Sequence, residues 1–268
     1  MMRSLRFPAA GSAACLAVAA ILVCAVPPAA QARDEAQCSG PTEAISLEHA
    51  PLNVRQRIAQ GRPIKIVAIG SSSTFGTGAS SPDKSYPGQL ATAIKAKLPG
   101  LPVTVLNKGI GGEEAKQMVD RFEADVIEEN PDLVLWQVGS NSVLLDHPAP
   151  SELIRQGVER LKATGADVIL VNTQYAPRIL AKRDVAHTVD VITATARNEE
   201  VGLFNSFAVM RYWREAEKLP FEQFLSPDLL HMNDWGYGCV AQLLAAAILD
   251  GTRLSATTAT AAPVLRGR

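Results

Sequence analysis

The chain has 268 residues, and its 26 lysines and arginines nearly balance its 27 aspartates and glutamates, for a net charge of −1 at pH 7. This balance, without any basic stripe, excludes the electrostatic footprint of a nucleic-acid-binding protein. Hydrophobic residues make up 47% of the chain, which is enough for one domain with a sizeable core.

The N-terminal stretch has the pattern of a secretory signal peptide. Arg3 and Arg6 precede an Ala-rich apolar run over residues 9–26, and an A-x-A cleavage signal follows at residues 30–32. The run is too short and too rich in alanine for a membrane span, and no second hydrophobic stretch follows. We predict that residues 1–32 are removed on export to a bacterial periplasm or the exterior, without stable membrane insertion. The alternative is a retained N-terminal anchor.

The cysteines fit an oxidising compartment. Cys15 and Cys24 leave with the signal peptide, so Cys38 and Cys239 remain as an even pair. Such a pair in an exported protein predicts a disulfide between the N-terminal segment and the last helix. The alternative is a buried free thiol at Cys239. No cysteine or histidine spacing is typical of a metal site, so neither a metal nor a cofactor is expected.

The rest of the chain alternates short apolar runs with longer amphipathic ones. Residues 33–62 are predicted to be an N-terminal segment with a short helix, residues 63–251 a single domain, and residues 252–268 a disordered tail. Strands are predicted at Ile64–Ile69, Val103–Leu106, Leu133–Val138, Val168–Val171 and Gly202–Phe204. Helices are predicted over Leu47–Gln60, Tyr86–Leu98, Glu113–Glu128, from a Ser151 cap onward, and over Val185–Asn198, Ser206–Glu217 and Asp234–Leu249.

The composition of the strands indicates the fold class. They are rich in Val, Ile and Leu without polar alternation, which is typical of parallel strands that helices cover on both faces. The prediction is an α/β fold: a three-layer α/β/α sandwich with a mostly parallel five-stranded sheet in a flavodoxin-like order.

The loop after the first predicted strand is rich in hydroxyl groups, since residues 70–74 read GSSST. Small residues at the carboxyl end of a buried strand lie where an α/β fold binds its ligands. The loop lacks the glycine spacing and lysine of a P-loop and the G-x-S-x-G elbow of the α/β-hydrolases. One of its serines is a candidate nucleophile; taken alone, the loop is more typical of an ordinary turn.

A loop near the C-terminus supplies a candidate general base. Asp228 and His231 lie three residues apart at the entry to the last predicted helix. A carboxylate at that spacing can fix the tautomer of the histidine and stabilise its imidazolium form. The other histidines are predicted to be surface residues: His49 in the N-terminal helical segment, His147 in a Pro-flanked loop and His187 on a polar helix.

Two further loops follow predicted strands and should reach the same edge of the sheet. Residues 107–113, NKGIGGE, form a Gly-rich turn into a helix, and its free N–H groups suit a developing oxyanion. Residues 137–142, QVGSNS, contain Asn141, whose side chain can donate a second hydrogen bond. The alternatives are an ordinary tight turn for the first loop and a turn or helix-capping asparagine for the second.

Serine, glycine, asparagine and histidine in this order, each in a loop of its own, resemble the SGNH (GDSL) hydrolase family. The resemblance extends from Ile64 to Leu249 and implies an SGNH hydrolase domain over residues 63–251 with a flavodoxin-like fold. It implies a nucleophile Ser72, an acid Asp228 and a base His231, with oxyanion donors from the Ser72 N–H, the Gly112 N–H and the Asn141 side chain.

Two positions depart from the family pattern. Ser71 stands where the family has an Asp before the nucleophile, and Ser142 stands where it has an Asp after the asparagine. Each change removes a carboxylate that would help to shape its loop, so the local hydrogen bonding should differ while activity survives. Register assigns the nucleophile to Ser72, with Ser71 and Ser73 as the alternatives.

The resemblance implies a serine esterase or acylhydrolase that forms an acyl-enzyme, and the predicted signal peptide implies that it is exported. Because no long apolar lid is evident, we expect a short acyl group, such as acetyl, on a small molecule or a carbohydrate. Four aromatic residues either line a sugar site or belong to the core: Tyr175, Tyr212, Trp213 and Phe221. The alternatives are an O-acyltransferase acting on exopolysaccharide and a non-catalytic module that binds polysaccharide during export.

Overall fold

Strands and helices alternate through residues 38–258, the part of the chain that this computed structural model describes, with side chains up to residue 250. The predicted signal peptide, residues 1–32, and the end of the predicted tail, residues 259–268, lie outside the described residues. The strands are β1 Ile64–Gly70, β2 Val103–Gly109, β3 Leu133–Gln137, β4 Asp167–Val171 and β5 Gly202–Phe204. The α-helices are α1 Thr42–Ile45, α2 Leu52–Ala59, α3 Ser72–Phe75, α4 Tyr86–Lys97, α5 Ala115–Asp120, α6 Ser140–Leu144, α7 Ser151–Lys162, α8 Pro177–Leu180, α9 Val185–Asn198, α10 Ser206–Glu215, α11 Phe221–Phe224 and α12 Asp234–Thr258.

The five strands form one sheet in the order β2-β1-β3-β4-β5, and every neighbouring pair is parallel. This is the flavodoxin-like order. The predicted fold class is therefore confirmed, with a sheet that is parallel throughout. The direction of winding reverses between β1 and β3, and open α/β sheets bind ligands at the carboxyl ends of the strands beside such a switch point.

Helices cover both faces of the sheet. Because successive side chains of a strand point to opposite faces, Ile66 and Ala68 of β1 join one apolar cluster while Val67 and Ile69 join the other. Helices α4, α10 and α12 contribute to the first cluster, and α5, α7 and α9 contribute to the second. All four β1 side chains are fully buried, which explains the continuous apolar run and establishes the three layers.

A disulfide joins the beginning of the described chain to α12. Cys38 and Cys239 are bonded, with Cα atoms 5.3 Å apart and a sequence separation of 201. The predicted pairing is confirmed, and the alternative of a free thiol at Cys239 is excluded. The same segment is held a second time, because the indole N–H of Trp213 donates to the Ser39 carbonyl at 2.7 Å.

Two helix starts differ from the prediction. The helix predicted from Leu47 begins at Leu52, because Pro51 has no N–H and keeps the residue before it out of helical backbone. Ser151 is the first residue of α7 and not its cap; Pro150 occupies the cap position, and no side-chain hydrogen bond caps this helix.

The end of the last helix also differs. The sequence predicts an end at Leu249, but α12 continues through Gly251 to Thr258. Glycine inside a helix costs about 1 kcal/mol and yet keeps its N–H, so it weakens a helix without ending it. Within residues 38–258, no helix combines the length and the apolar character needed to cross a membrane.

The helix predicted over Glu113–Glu128 is divided. α5 begins after a capping box between Glu114 and Gln117, and a π-helical turn follows at Glu123–Ile127. A π turn takes one more residue than an α turn, and such turns often lie near functional sites. The first part of this segment is the Gly-rich turn that borders the site.

Candidate active site

Three loops that follow neighbouring strands meet at the carboxyl edge of the sheet. Ser72 opens α3 directly after β1, Gly112 follows β2, and Asn141 lies in α6 after β3. β1 pairs with β2 on one side and with β3 on the other. The parallel topology therefore places all three loops around the switch point between β1 and β3.

Of the three serines after β1, Ser72 is the one that contacts the predicted base. Its Oγ lies 2.7 Å from Nε2 of His231, a residue 159 positions away. Ser71 and Ser73 are buried, whereas Ser72 is partly exposed. The Ser71 hydroxyl donates to Gln137 Oε1 at 3.0 Å. The structure thus brings Ser72 together with His231 and turns Ser71 towards the interior.

The loop before α12 is built around the Asp228 carboxylate. Its Oδ2 lies 2.5 Å from His231 Nδ1, and its Oδ1 accepts from the His231 N–H, the Leu230 N–H and the Ser226 hydroxyl. Burial disfavours the ionised carboxylate, but these hydrogen bonds outweigh burial and hold the pKa of Asp228 well below its usual range. An ionised Asp228 makes Nδ1 of His231 a donor and leaves Nε2 to accept from Ser72.

His231 is carried on a closed loop. The Ser226 N–H donates to the His231 carbonyl at 2.8 Å, across the base of the loop. At the tip, Leu229 takes a left-handed φ of 57°, and its carbonyl accepts from the Arg178 N–H of α8 at 3.3 Å. These bonds fix the imidazole relative to both α8 and the start of α12.

The Gly-rich turn lies beside Ser72. A Cβ on Gly111 would lie 3.9 Å from the Ser72 Cβ, and Gly112 takes a φ of +83°, which favours glycine. Among the described residues, the N–H groups of Ser72 and Gly112 have no acceptor. Asn141 Nδ2 donates to the Glu113 carbonyl at 2.7 Å and so holds its amide against this turn. Free N–H groups that converge on one point are the arrangement that stabilises an oxyanion.

Arg121, which no sequence motif indicates, anchors the Gly-rich turn. Its guanidinium lies 2.7 Å from the Glu113 carboxylate, and both side chains are only 14% exposed. It also donates to the carbonyls of Lys108 at 2.8 Å and Gly70 at 3.4 Å. Arg121 therefore ties the ends of β1 and β2 to the turn. An arginine after the apolar face of a predicted helix was the available signal, but nothing in the sequence identified its partners.

Gln137, which no motif indicates either, holds the loop where the family pattern has a carboxylate. Its Oε1 accepts from the N–H and hydroxyl of Ser71, both at 3.0 Å, and from the Thr74 hydroxyl at 3.3 Å. Its Nε2 donates to Ser140 Oγ, and that hydroxyl donates to Gln174 Oε1 at 2.8 Å. All five residues are buried. The hydrogen bonding at Ser71 therefore differs from the family pattern, as expected, and it consists of uncharged groups. In the sequence, the one sign of this network is a glutamine at the end of an apolar strand.

The remaining candidates lie elsewhere. His147 and His187 are exposed, as predicted. The prediction for His49 was wrong, because it lies in the loop before α2, half-buried, and its Nε2 is buried without a partner among the described residues. Trp213 is fully buried, and the three other aromatic residues proposed for a sugar site pack against the same core cluster.

Most of the chain matches a known protein family. The family model described as "Non-GDSL lipase-like family" matches residues 37–254 of the chain. The matched range covers most of the chain and includes every residue that the sequence assigns to the site.

Two curated relatives share part of the sequence. An acetylxylan esterase of Geobacillus stearothermophilus is 33% identical over 81 residues, which are 30% of this chain and 34% of that protein. An arylesterase of Vibrio mimicus is 27% identical over 127 residues, which are 47% of this chain and 62% of that protein. The chain therefore spans less than two thirds of each of these relatives.

Solved structures share the fold. A two-domain esterase active on acetylated mannans aligns with a TM-score of 0.66 and 21% identity, over 84% of this chain and 60% of that one. An acetyl xylan esterase, AlAXEase, aligns with a TM-score of 0.58 and 22% identity, over 69% of this chain and all of the other. At this level of identity the likeness is one of fold, and it agrees with the parallel sheet described above.

Proposed function

The chain belongs to the Non-GDSL lipase-like family, and from this premise we propose that it is an exported serine esterase that removes a short acyl group, such as acetyl, from a carbohydrate. The resemblance of the sequence to the SGNH hydrolases is confirmed. One observation carries the proposal: Ser72 Oγ lies 2.7 Å from His231 Nε2, and His231 Nδ1 lies 2.5 Å from Asp228 Oδ2. A nucleophile, a base and an acid that touch in this order are what acyl transfer through a serine needs.

In the proposed acylation step, His231 Nε2 takes the Ser72 proton as Oγ attacks the ester carbonyl carbon. The carbonyl oxygen becomes an oxyanion and accepts hydrogen bonds from Ser72 N–H, Gly112 N–H and the Asn141 amide. The proton on His231 then passes to the leaving alcohol oxygen as its bond to the acyl carbon breaks. The acyl group remains on Ser72 as a new ester.

Deacylation repeats these roles with water. His231 takes a proton from the water as its oxygen attacks the acyl carbon, and the same donors hold the second oxyanion. The proton returns to Ser72 Oγ when the acid is released. Asp228 stays ionised throughout and stabilises the imidazolium in both steps, a role supported by its lowered pKa.

The substrate class is argued from the relatives and from the compartment. Two similar proteins are named for acetylxylan and for acetylated mannans, and a third is named an arylesterase, so esters are common to all of them. The disulfide between Cys38 and Cys239 supports export, since disulfides persist in oxidising compartments. The predicted signal peptide over residues 1–32 supports the same compartment.

Labelling with a fluorophosphonate tests the proposal directly. The folded protein is expected to be labelled at Ser72, and Ser72→Ala is expected to lose the label. Ser81→Ala is the matched control, since Ser81 is exposed on the loop that follows α3, and it should be labelled like the parent protein. A label on Ser71 or Ser73 would move the role of nucleophile, and an unlabelled folded protein would favour a polysaccharide-binding module.

A second measurement separates hydrolysis from acyl transfer. An acetyl donor is incubated with the protein in the presence and in the absence of an unmodified glycan. Hydrolysis predicts that the released acetate equals the donor consumed in both cases. Acetyl groups appearing on the glycan at the expense of free acetate would instead assign an O-acyltransferase.

A further inference from the structure

A cavity of about 460 Å³ borders the proposed oxyanion donors. Gly112 and Asn141 form part of its lining, and Leu144 and Leu145 add an apolar patch. Its volume is in the range of small-molecule sites. A larger groove of about 760 Å³ between α4 and α12 has none of the site residues in its lining. The lining of the smaller cavity includes neither Ser72 nor His231, but it includes two of the proposed oxyanion donors, so an ester held at those donors would extend into it.

The same cavity is also lined by two cationic side chains, Arg178 and Lys182. Lys182 Nζ lies 2.6 Å from Asp146 Oδ2, so its charge is balanced by a carboxylate. The Arg178 guanidinium is exposed, and none of the described residues offers it an ion pair or a hydrogen-bond acceptor. One positive charge of the cavity lining is therefore left without a protein partner.

The backbone of Arg178 is fixed relative to the site. Its N–H donates to the Leu229 carbonyl, at the tip of the loop that carries Asp228 and His231. Pro177, the first residue of α8, sets the backbone direction just before it. A guanidinium presents its N–H groups as a planar fork that matches a carboxylate. An unpaired fork on an anchored backbone, in the cavity that borders the oxyanion donors, is arranged to receive an anion.

We propose that Arg178 binds a carboxylate of the substrate, so that the preferred ester is acidic and not neutral. This inference rests on the proposed esterase function and narrows its substrate class. The carboxylate has two possible sources: a uronic acid unit on the alcohol side of the ester, or a dicarboxylic acyl group such as succinyl. Either source puts the same chemistry within the cavity.

Hydrolysis of three soluble esters tests this inference: an acetylated oligogalacturonate, a succinylated xylo-oligosaccharide and an acetylated xylo-oligosaccharide. One of the two acidic esters is expected to exceed the neutral one by about tenfold in kcat/KM, as one charge-assisted hydrogen bond allows. Which acidic ester is preferred identifies the side of the scissile bond on which the carboxylate lies. The preference should shrink as ionic strength rises, because Arg178 is exposed.

Substitution at Arg178 should remove the preference. Arg178→Gln is expected to bring the acidic-to-neutral ratio of kcat/KM close to one, and Arg178→Lys, which keeps the charge without the fork, should retain part of it. Arg183→Gln is the matched control, because Arg183 is exposed five positions further on and does not line the cavity; its ratio should equal that of the parent protein.

The outcomes distinguish a failure of this inference from a failure of the proposed esterase function. Equal turnover of all three esters, or a preference that survives Arg178→Gln, overturns the inference and leaves the esterase in place. A folded protein that hydrolyses none of the esters and takes no fluorophosphonate label overturns the proposed function, and this inference with it.

Discussion

The two halves of the candidate site are held in place by different interactions. Around Ser72, the loop is fixed by neutral groups, because the Gln137 amide accepts from Ser71 and Thr74. Around His231, the loop is fixed by an anion, because the Asp228 carboxylate accepts from the backbone and side chains of its own turn. One half thus uses dipoles, and the other uses a full charge.

The difference has a physical reason if Ser72 is the nucleophile. A negative charge near His231 stabilises the imidazolium that forms when it takes a proton. Beside Ser72 no charge is needed, because the loop is shaped by the buried Gln137 amide, which accepts from the N–H and hydroxyl of Ser71. The loss of a carboxylate at Ser71 is therefore compatible with an active site.

The largest effect is predicted for the charged half. Asp228→Asn should lower kcat for p-nitrophenyl acetate about 10⁴-fold, because an amide no longer enforces the right tautomer or stabilises the imidazolium. Asp190→Asn, on the exposed side of α9, is the charge-matched control and should keep the parent rate. A loss of less than about tenfold in Asp228→Asn would mean that the pair is structural.

A smaller effect is predicted for Asn141, the side-chain donor of the proposed oxyanion site. Asn141→Ala should lower kcat by about 10²–10³ and leave Ser72 reactive towards the fluorophosphonate, since one oxyanion donor is lost and the nucleophile is kept. Steady-state kinetics with the same ester measure this, and Asn198→Ala, an exposed position at the end of α9, serves as the control. An unchanged kcat would remove Asn141 from the oxyanion site.

Around Ser72, the main predicted effect of a substitution is a loss of stability of the folded protein. Gln137→Leu removes the acceptor of the buried Ser71 N–H and hydroxyl, whereas Thr74 keeps Tyr86 and Ser140 keeps Gln174. The free energy of unfolding should therefore fall by about 1–3 kcal/mol. Urea unfolding measures the change, and Gln156→Leu on the exposed face of α7 should leave stability nearly unaltered. If the loop is displaced as well, kcat should fall while KM holds. If Gln137→Leu is as stable as the parent protein, the Gln137 network does not stabilise the fold.

The smallest predicted effect is a dependence of stability on pH. The pKa of Asp228 is lowered in the folded state. The ionised carboxylate therefore adds its full contribution to the free energy of unfolding above the unfolded pKa of about 3.9, and this contribution is lost as the pH falls towards the folded pKa. The stability difference between the parent protein and Asp228→Asn should therefore narrow below about pH 4. The effect is modest, because the Asp228 side chain is 37% exposed. A stability difference between the two proteins that grows below about pH 4 would contradict this prediction.

Much of the fold could be predicted from local patterns. Five apolar runs between amphipathic stretches were enough to predict a parallel sheet, since strands buried on both faces have no polar alternation. The juxtaposition of Ser72 with His231 could also be anticipated, because in such a sheet the loops at the carboxyl ends of the strands converge. These inferences use short sequence spacings and one rule of topology.

What could not be predicted depends on partners far apart in sequence. Gln137 lies 66 positions from Ser71, and Arg121 reaches back 51 positions to the Gly70 carbonyl. Neither residue type is diagnostic, because glutamine and arginine are common at helix and strand ends. Helix ends failed for a different reason, because local sequence signals place the end of a helix only to within a few residues.

The disulfide between Cys38 and Cys239 makes a covalent ring of the chain that contains all five strands and both halves of the site. A protease that cuts this ring once, for instance in the exposed stretch at residues 145–148, opens it without releasing a fragment. Ser72 and His231 would then lie on different polypeptides that remain joined through sulfur. The nicked molecule would keep its composition and mass apart from one added water, and only reduction would release the polypeptide that carries Ser72 from the one that carries His231.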